Sequence, residues 1–458
     1  MNIFGYKKLL LILMACLMPL AIQAQSMDDD EDLEKDFDEE VTDSIIMLDV
    51  MSDLEDMWGG STLDRLELAS KEISKIGNRT GIYVYDLEVD SVVYSYKANV
   101  GYKPASNEKL LTSIAALSTL GKDYTFSTPV YYSGQICNTS DTTRMLDGDI
   151  YVVGGFDPML SFDDARAIAD HIKALGINRI SGYIYADVHQ KDALLKKAHT
   201  TYERIQAGDS ELFITPLAMN RGRISTEMPG NKSKSGTRVK HPETYFTRAI
   251  YELLREDGME FDKRNPYGRS NIDSLKVTKI WSIDRPIADV LDRMMKKSDN
   301  YYAECMMLQL GHNCNNPCEW NYSNCVQTVK RVMGESGADL STLVINDGSG
   351  LSHGNRVTPE SITRLLIYAY RNPNIYEPLF ESLPIAGVDG TLKSRMKDSK
   401  AEDNVRAKTG TISGVSTLSG YLKAANGHML AFSIMNNNLR SPALGRAFQN
   451  KICKLLAR

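Results

Sequence analysis

The sequence predicts a mixed α/β protein of the α+β kind, with an accessory region inserted into it. Three observations carry this expectation. Gly81–Tyr85 and Val92–Tyr96 are short runs rich in tyrosine and valine around a polar turn, the pattern of an antiparallel strand pair. The next segment sets Leu110, Leu111, Ile114, Leu117 and Leu120 on one helical face, with Gly121 suited to a left-handed cap. The pattern then changes at about Tyr124. After Leu275 the fold returns to helices, followed by the strand-like runs Ser416–Leu422 and Met429–Ile434.

The chain has 458 residues, about three domains' worth, and its net charge of −6 argues against nucleic acid as a main partner. Much of the negative charge lies between Asp28 and Asp43, where like charges too dense to bury predict a disordered acidic linker over residues 25–60. Residues 1–24 read as a signal peptide: Lys7 and Lys8 precede an apolar run, Leu9–Leu20, and Ala24 is a small residue for cleavage. The run is too short for a confident span, and no later stretch is long and apolar enough. A rival reading takes Leu13-Met14-Ala15-Cys16 as a lipoprotein box that leaves a lipid anchor at Cys16. Either way the expected location is exported and periplasmic, with no transmembrane helix after signal removal.

Order is expected from Ser61 or Thr62, N-caps of a helix carrying Leu63, Leu66, Ala69, Ile73 and Ile76. The main domain would comprise residues 61–123 and 276–458, interrupted by an accessory region over 124–275. Within that region Leu146–Gly155 reads as a turn and a strand, Asp163–Leu175 as a helix capped by Gly176, and Ile180–Ala186 as a strand. Residues 230–240 read as a basic, mobile loop. Glu243–Asp257 reads as a helix stopped by Gly258. After it, Arg285–Lys296 is amphipathic. Nothing in the insertion names a chemistry.

Three other stretches do. Ser106 stands three residues before Lys109, one helical turn apart, so an amine comes within reach of a hydroxyl that needs a base to become nucleophilic. Taken alone, the pair reads more readily as an N-cap at Ser106 and a solvated lysine at Lys109, because Ser-x-x-Lys is common by chance. Yet lysine is unfavourable beside the positive end of a helix dipole, and free N–H groups at that end suit an oxyanion. Ser298-Asp299-Asn300 follows the amphipathic Arg285–Lys296 segment, where Ser298 could also be a mere cap. Lys408-Thr409-Gly410-Thr411 would set a cation and two hydroxyls along a strand edge, with glycine permitting close approach.

Ser-x-x-Lys, Ser-x-Asn and Lys-Thr-Gly in this order form the set of penicillin-binding proteins and class A β-lactamases. Lys297–Glu304 (KSDNYYAE), Asn346–Ser352 (NDGSGLS), Leu383–Leu392 (LPIAGVDGTL) and Ala407–Thr411 (AKTGT) narrow it. They resemble the D-alanyl-D-alanine carboxypeptidase/endopeptidase family of class C low-molecular-mass penicillin-binding proteins, peptidase family S13. The resemblance runs from about Ile82 to near the C-terminus.

It implies a β-lactamase/transpeptidase-like antiparallel sheet with helices on both sides and an inserted region. It further implies Ser106 as nucleophile, Lys109 as base, and Ser298 as a proton relay to the leaving amine. Asn300 would bind the substrate's backbone amide, and Lys408, Thr409 and Thr411 the terminal carboxylate. Gly410 would allow the approach, and the Ser106 and Thr411 N–H groups would form the oxyanion hole. The implied partners are peptidoglycan stem peptides and β-lactam antibiotics, with no cofactor. Asp347–Gly350 and Ala386–Thr391 match the family as well, and read physically as tight turns.

The seven histidines show no metal-ligand spacing. Leaving Cys16 aside, six cysteines remain, four of them within the 21 residues from Cys305 to Cys325. In an oxidising compartment at least one disulfide among Cys314, Cys318 and Cys325 is expected, in preference to zinc. Cys305, Cys137 and Cys453 complete the set, and Cys305 and Cys453 fit core positions. Three functions fit: a serine D,D-peptidase, a serine β-lactamase, and a non-catalytic wall-binding or penicillin-sensing protein. The complete motifs and the family blocks favour the first.

Overall fold

Residues 79–86 and 91–96 form β1 and β2, an antiparallel hairpin as the tyrosine- and valine-rich runs predict. The structure, a computed structural model, describes residues 66–67, 70–71, 79–188, 214–229, 237, 239–272, 276–312 and 322–457. Residues 1–60, most of the helix expected from Ser61, most of the 230–240 loop, and Cys314 and Cys318 therefore lie outside the described residues. Leu66, Glu67, Ser70 and Lys71 are helical, as the spacing of Leu66 predicts.

Glu108–Leu120 is helix α1, in which every residue from Glu108 to Leu117 is buried. The chain then leaves through β3 (Thr125–Ser133), β4 (Gln135–Asn138), β5 (Arg144–Asp147) and β6 (Ile150–Val153). Helix α2 (Phe162–Lys173) begins at a capping box in which the Ser161 side chain and Asp164 satisfy each other's backbone donors. The single strand expected over Ile180–Ala186 is two: β7 (Arg179–Ile180), paired with β5, and β8 (Ile184–Asp187), paired with β6. The break falls at Gly182, where a Cβ would lie 2.2 Å from Asp149 Oδ1 and 2.3 Å from the Gly148 carbonyl. That close approach lets the chain step from one sheet to the next.

Helix α3 (Pro242–Glu256), β9 (Glu260–Phe261) and β10 (Tyr267–Arg269) follow. Strand β11 (Val277–Pro286) returns antiparallel to β3, so Pro286 is paired with Thr125. Two sheets result, β10-β8-β6-β3-β11 and β4-β5-β7-β9. They share a core of Ile150, Val152, Ile184, Ile168, Phe246 and Leu254. Arg285 and Pro286, expected to start a helix, instead finish β11, and helix α4 runs Ile287–Lys296.

Helices α5 (Asn300–Gln309), α6 (Tyr322–Glu335), α7 (Pro359–Tyr370) and α8 (Pro373–Ser382) come next. Strands β12 (Arg406–Ile412), β13 (Val415–Lys423) and β14 (Met429–Asn437) and helix α9 (Pro442–Leu456) end the described chain. The main sheet is wholly antiparallel, ordered β12-β13-β14-β1-β2. Phe448, Ile452 and Leu456 of α9 pack on one face with Ile82, Leu418 and Phe432. The other face meets α7 and a core that gathers Leu111 and Ile114 of α1 with Met295, Ala303 and Met306. An antiparallel sheet between helical layers is the arrangement expected. No helix among the described residues is long and apolar enough to cross a membrane.

Candidate active site

Ser106 sits in a 3-10 turn, Ala105–Asn107, that runs straight into α1, so it precedes the helix and does not cap it. The turn is pinned from three sides. Thr417 Oγ1 donates to the Pro104 carbonyl at 2.7 Å. Asn107 Nδ2 donates to the Lys408 carbonyl at 2.8 Å, and its Oδ1 accepts from Ser419 Oγ at 2.6 Å. Ala105 is held at φ 46, in the left-handed region where an alanine is strained. Glycine is required on both flanks: a Cβ on Gly350 would lie 1.9 Å from the Ala105 carbonyl oxygen, and one on Gly410 would lie 3.0 Å from the Ser106 nitrogen. Gly410 thus brings the edge strand β12 against the serine.

Lys109 is fully buried. Its Nζ makes three contacts, with Ser106 Oγ at 3.0 Å, Asn300 Oδ1 at 2.6 Å and the Ser349 carbonyl at 2.8 Å. Burial drives its pKa down to about 8, against the opposing pull of Asp347, Glu304, Asp299 and Glu108. Asn300 and the Ser349 carbonyl can only accept here, whereas a serine hydroxyl can donate or accept. A neutral amine has two N–H groups for the first two and a lone pair left for the Ser106 hydroxyl.

Lys408, equally buried, donates to Ser298 Oγ at 2.7 Å and to the Thr409 carbonyl at 2.8 Å. Desolvation, then the charge of Lys109, hold its pKa well below the ordinary lysine value. Ser298 is not the cap of α5. It sits at φ 57 just before it, and Asp299 caps the helix by accepting from the Tyr301 and Tyr302 N–H groups. Asp299 also pairs with Arg221 at 2.6 Å and Arg293 at 3.0 Å, and both guanidinium groups lie over the Tyr302 ring. Arg221, from the segment before α3, thereby braces the Ser298 turn. Thr409 Oγ1 bonds Thr391 Oγ1 at 2.7 Å, and Lys296 ties Asp389 at 2.6 Å and the Leu383 carbonyl at 2.7 Å.

The structure brings Ser106, Lys109, Ser298, Asn300, Lys408, Thr409 and Gly410 together from segments about 300 residues apart. Thr411 is exposed on the same strand edge. Asp347–Gly350 is a tight turn as predicted, but it also reaches the site through the Ser349 carbonyl. The sequence reading missed Glu108, Glu304 and Asp347 behind Lys109. Glu304 stands four residues after Asn300 and so shares its helix face, a spacing that could have disclosed it.

Cys305 and Cys453 are buried core residues, as expected, and Cys325 is buried on α6. The expected disulfide needs Cys314 or Cys318, outside the described residues. Among the described residues, Asp86, Glu88 and His428 have ligand atoms within 4.8 Å of one another. They are engaged already: Asp86 Oδ2 pairs with His428 Nδ1 at 2.8 Å, and Glu88 accepts the Met429 N–H at 2.7 Å. The group ties the β1–β2 turn to β14.

A sheet between helical layers, with a serine and two buried lysines at its edge, defines an active-site-serine hydrolase of the penicillin-recognising class. Comparison with known proteins makes this specific. The profile of the D-Ala-D-Ala carboxypeptidase 3 (S13) family matches residues 64–200 and 196–458. The chain belongs to that family. The D-alanyl-D-alanine carboxypeptidase of an Actinomadura species is 29% identical over 438 residues, covering 80% of this chain and 79% of the relative. The D-alanyl-D-alanine carboxypeptidase DacB of Haemophilus influenzae is 24% identical, covering 78% and 85%. The crystal structure of penicillin-binding protein 4 from H. influenzae matches with a TM-score of 0.67 at 20% identity, covering 84% of this chain and 99% of that one. The same protein has been solved in complex with a β-lactam.

Proposed function

We propose that the protein is an exported D,D-peptidase that hydrolyses the D-alanyl bond of peptidoglycan stem peptides through an acyl-enzyme on Ser106, and that β-lactams acylate the same serine. The observation that carries this reading is the three-way seating of Lys109 Nζ, with two acceptors for its N–H groups and Ser106 Oγ at 3.0 Å for its lone pair. Ser106 Oγ attacks the carbonyl carbon of the penultimate D-alanine while its proton passes to Lys109. The developing oxyanion is met by the Ser106 and Thr411 N–H groups. The C–N bond then breaks, and Ser298, held by Lys408, relays the proton to the leaving amine. Asn300 binds the substrate's backbone amide as well as Lys109. Lys408, Thr409 and Thr411 hold the terminal carboxylate along the open edge of β12, and Gly410 keeps that edge close. Water adds to the ester, restoring Ser106 and releasing the shortened peptide. Removal of residues 1–24 would place the enzyme in the periplasm, with lipid attachment at Cys16 as the alternative ending.

The test is fluorescent penicillin applied to the purified protein beside Ser106→Ala. A stable label that is absent from the variant is expected, followed by D-alanine release from a stem pentapeptide. No label with the drug left intact would overturn the enzymatic reading. Rapid hydrolysis of the drug with no stable label would reassign the protein as a serine β-lactamase.

A further inference from the structure

Around Lys109 three carboxyl groups are buried and act on its charge: Glu108 from α1, Glu304 from α5 and Asp347 from the turn before Gly348. They are not equivalent. Asp347 is spent on its own turn, accepting from the Gly350 and Ser352 N–H groups and from Asn355 Nδ2. Glu108 Oε2 has no hydrogen-bond partner among the described residues. Glu304 alone links α5 to the turn that touches Lys109. Its Oε1 accepts from the Gly348 and Ser349 N–H groups at 3.1 and 2.8 Å, and the carbonyl of that same Ser349 accepts from Lys109 Nζ. Thr112 of α1 holds the turn from its other side through the Gly348 carbonyl. Helix α5 thus grips Lys109 twice, directly through Asn300 and, one turn later, through Glu304 and the Ser349 peptide.

We propose that Glu304 is a positioning residue for Lys109: it clamps the turn whose carbonyl seats the amine, and its negative charge strengthens the hold of Lys109 on its proton. The inference rests on Lys109 being the base that activates Ser106. A buried anion behind the base opposes the desolvation that favours the neutral amine, so it sets where on the pH scale the base becomes available. The other titratable groups facing Lys109 are Asp347, Asp299 and Glu108, whose carboxylate forms would hold its proton as that of Glu304 does, and Lys408 across the site; burial pushes Glu108 well up and Lys408 well down. Those facing Glu304 itself are Lys109, Asp347 and Glu108, with Cys305 and Tyr322, both neutral because burial pushes them well up; burial, then Asp347, raises Glu304 to about 7, so it carries its charge above that pH, where the Lys109 limb lies.

The experiment is the pH profile of the acylation rate constant with a fluorescent penicillin, using the whole protein. Glu304→Gln keeps the shape and removes the charge. Its acid limb is expected about 1 pH unit lower than the parent's, with the plateau rate reduced about tenfold because one backbone N–H meets an amide donor. Thr112→Val loosens the same turn without changing charge, and should slow acylation with the limb unmoved. Glu304→Asp keeps the charge and withdraws its oxygens by one methylene, so the rate should fall at an unmoved limb. This second variant serves if Glu304→Gln does not fold. A limb that coincides in Glu304→Gln and the parent, or a Glu304→Asp enzyme as fast as the parent, overturns the proposal and leaves Lys109 as the base. A parent that acylates with no acid limb overturns the base assignment and this inference with it.

Discussion

Two fully buried lysines face one serine cleft, and their surroundings are opposite. Lys109, on the helical side, is built in among carboxyl groups: Asp347, Glu304, Asp299 and Glu108 all oppose the fall of its pKa, and burial still brings it down to about 8. Lys408, on the sheet side, touches the Ser298 hydroxyl and the carbonyl of Thr409, and the charge that acts on it is the repulsion of Lys109. Charge buried without a counter-ion is costly, and a lysine in that position loses its proton readily. The contrast teaches which anion each site expects. The helical side carries its own carboxyl groups around an amine whose pKa of about 8 suits the proposed base. The sheet side has none among the described residues, and on the proposed function a substrate carboxylate would complete it.

Replacing each lysine should separate the two roles. Lys109→Ala is expected to lower the acylation rate about 10⁴-fold, and in the parent the rate should fall about tenfold per pH unit below about 8, where Lys109 holds its proton. Lys408→Ala should cost about 10²-fold, mainly in apparent affinity. The loss should shrink for a substrate whose terminal carboxylate is amidated, because that group no longer looks for a cation. Equal losses on both substrates would break the comparison.

A smaller effect concerns protons. Because Lys408 has a depressed pKa in the free protein, an incoming carboxylate raises it, so binding near pH 7 should take up as much as about one proton. Calorimetry of a slow-reacting peptide in buffers of different ionisation enthalpy reads this directly. No uptake would mean that Lys408 is already charged.

The smallest expected effect is on stability. Burial, then Asp347 and Glu304, push the pKa of Glu108 well up. A carboxyl raised in the folded state favours folding below its unfolded pKa, and that advantage is lost as pH rises through the folded pKa. Glu108→Gln is free of this loss. It should match the parent's Tm at pH 5 and exceed it by a few degrees at pH 9.

The candidate site residues were legible because each motif needs a local element that sequence shows: a helix start for Ser106 and Lys109, a strand for Lys408–Thr411. The apolar helix α1 and the strands β1, β13 and β14 were legible for the same reason. What was not legible is what segments do to one another. Glu304 and Asp347 were visible as letters in family-like blocks, but a carboxylate buried against a distant turn leaves no periodic trace. Ser298 looked like a helix cap, and Asp299 took that place because its carboxylate also answers Arg221 and Arg293, one of them about 80 residues away. The division of Ile180–Ala186 between two sheets was hidden in the same way, since it depends on Gly182 meeting Asp149 and Gly148.

Gly350 and Gly410 press on the nucleophile turn from two sides, and this bears on how drug resistance could arise. A side chain at Gly350 would run into the Ala105 carbonyl, and one at Gly410 into the Pro104 carbonyl at 2.8 Å and Thr417 Oγ1 at 2.2 Å. The neighbouring peptide N–H groups survive every substitution except proline. The positions left open to change beside the turn are rim side chains such as Thr391, Thr409 and Thr411. On the proposed function Thr409 and Thr411 also hold the terminal carboxylate of the natural peptide, and Thr391 bonds Thr409, so selection would have little room to tell drug from peptide.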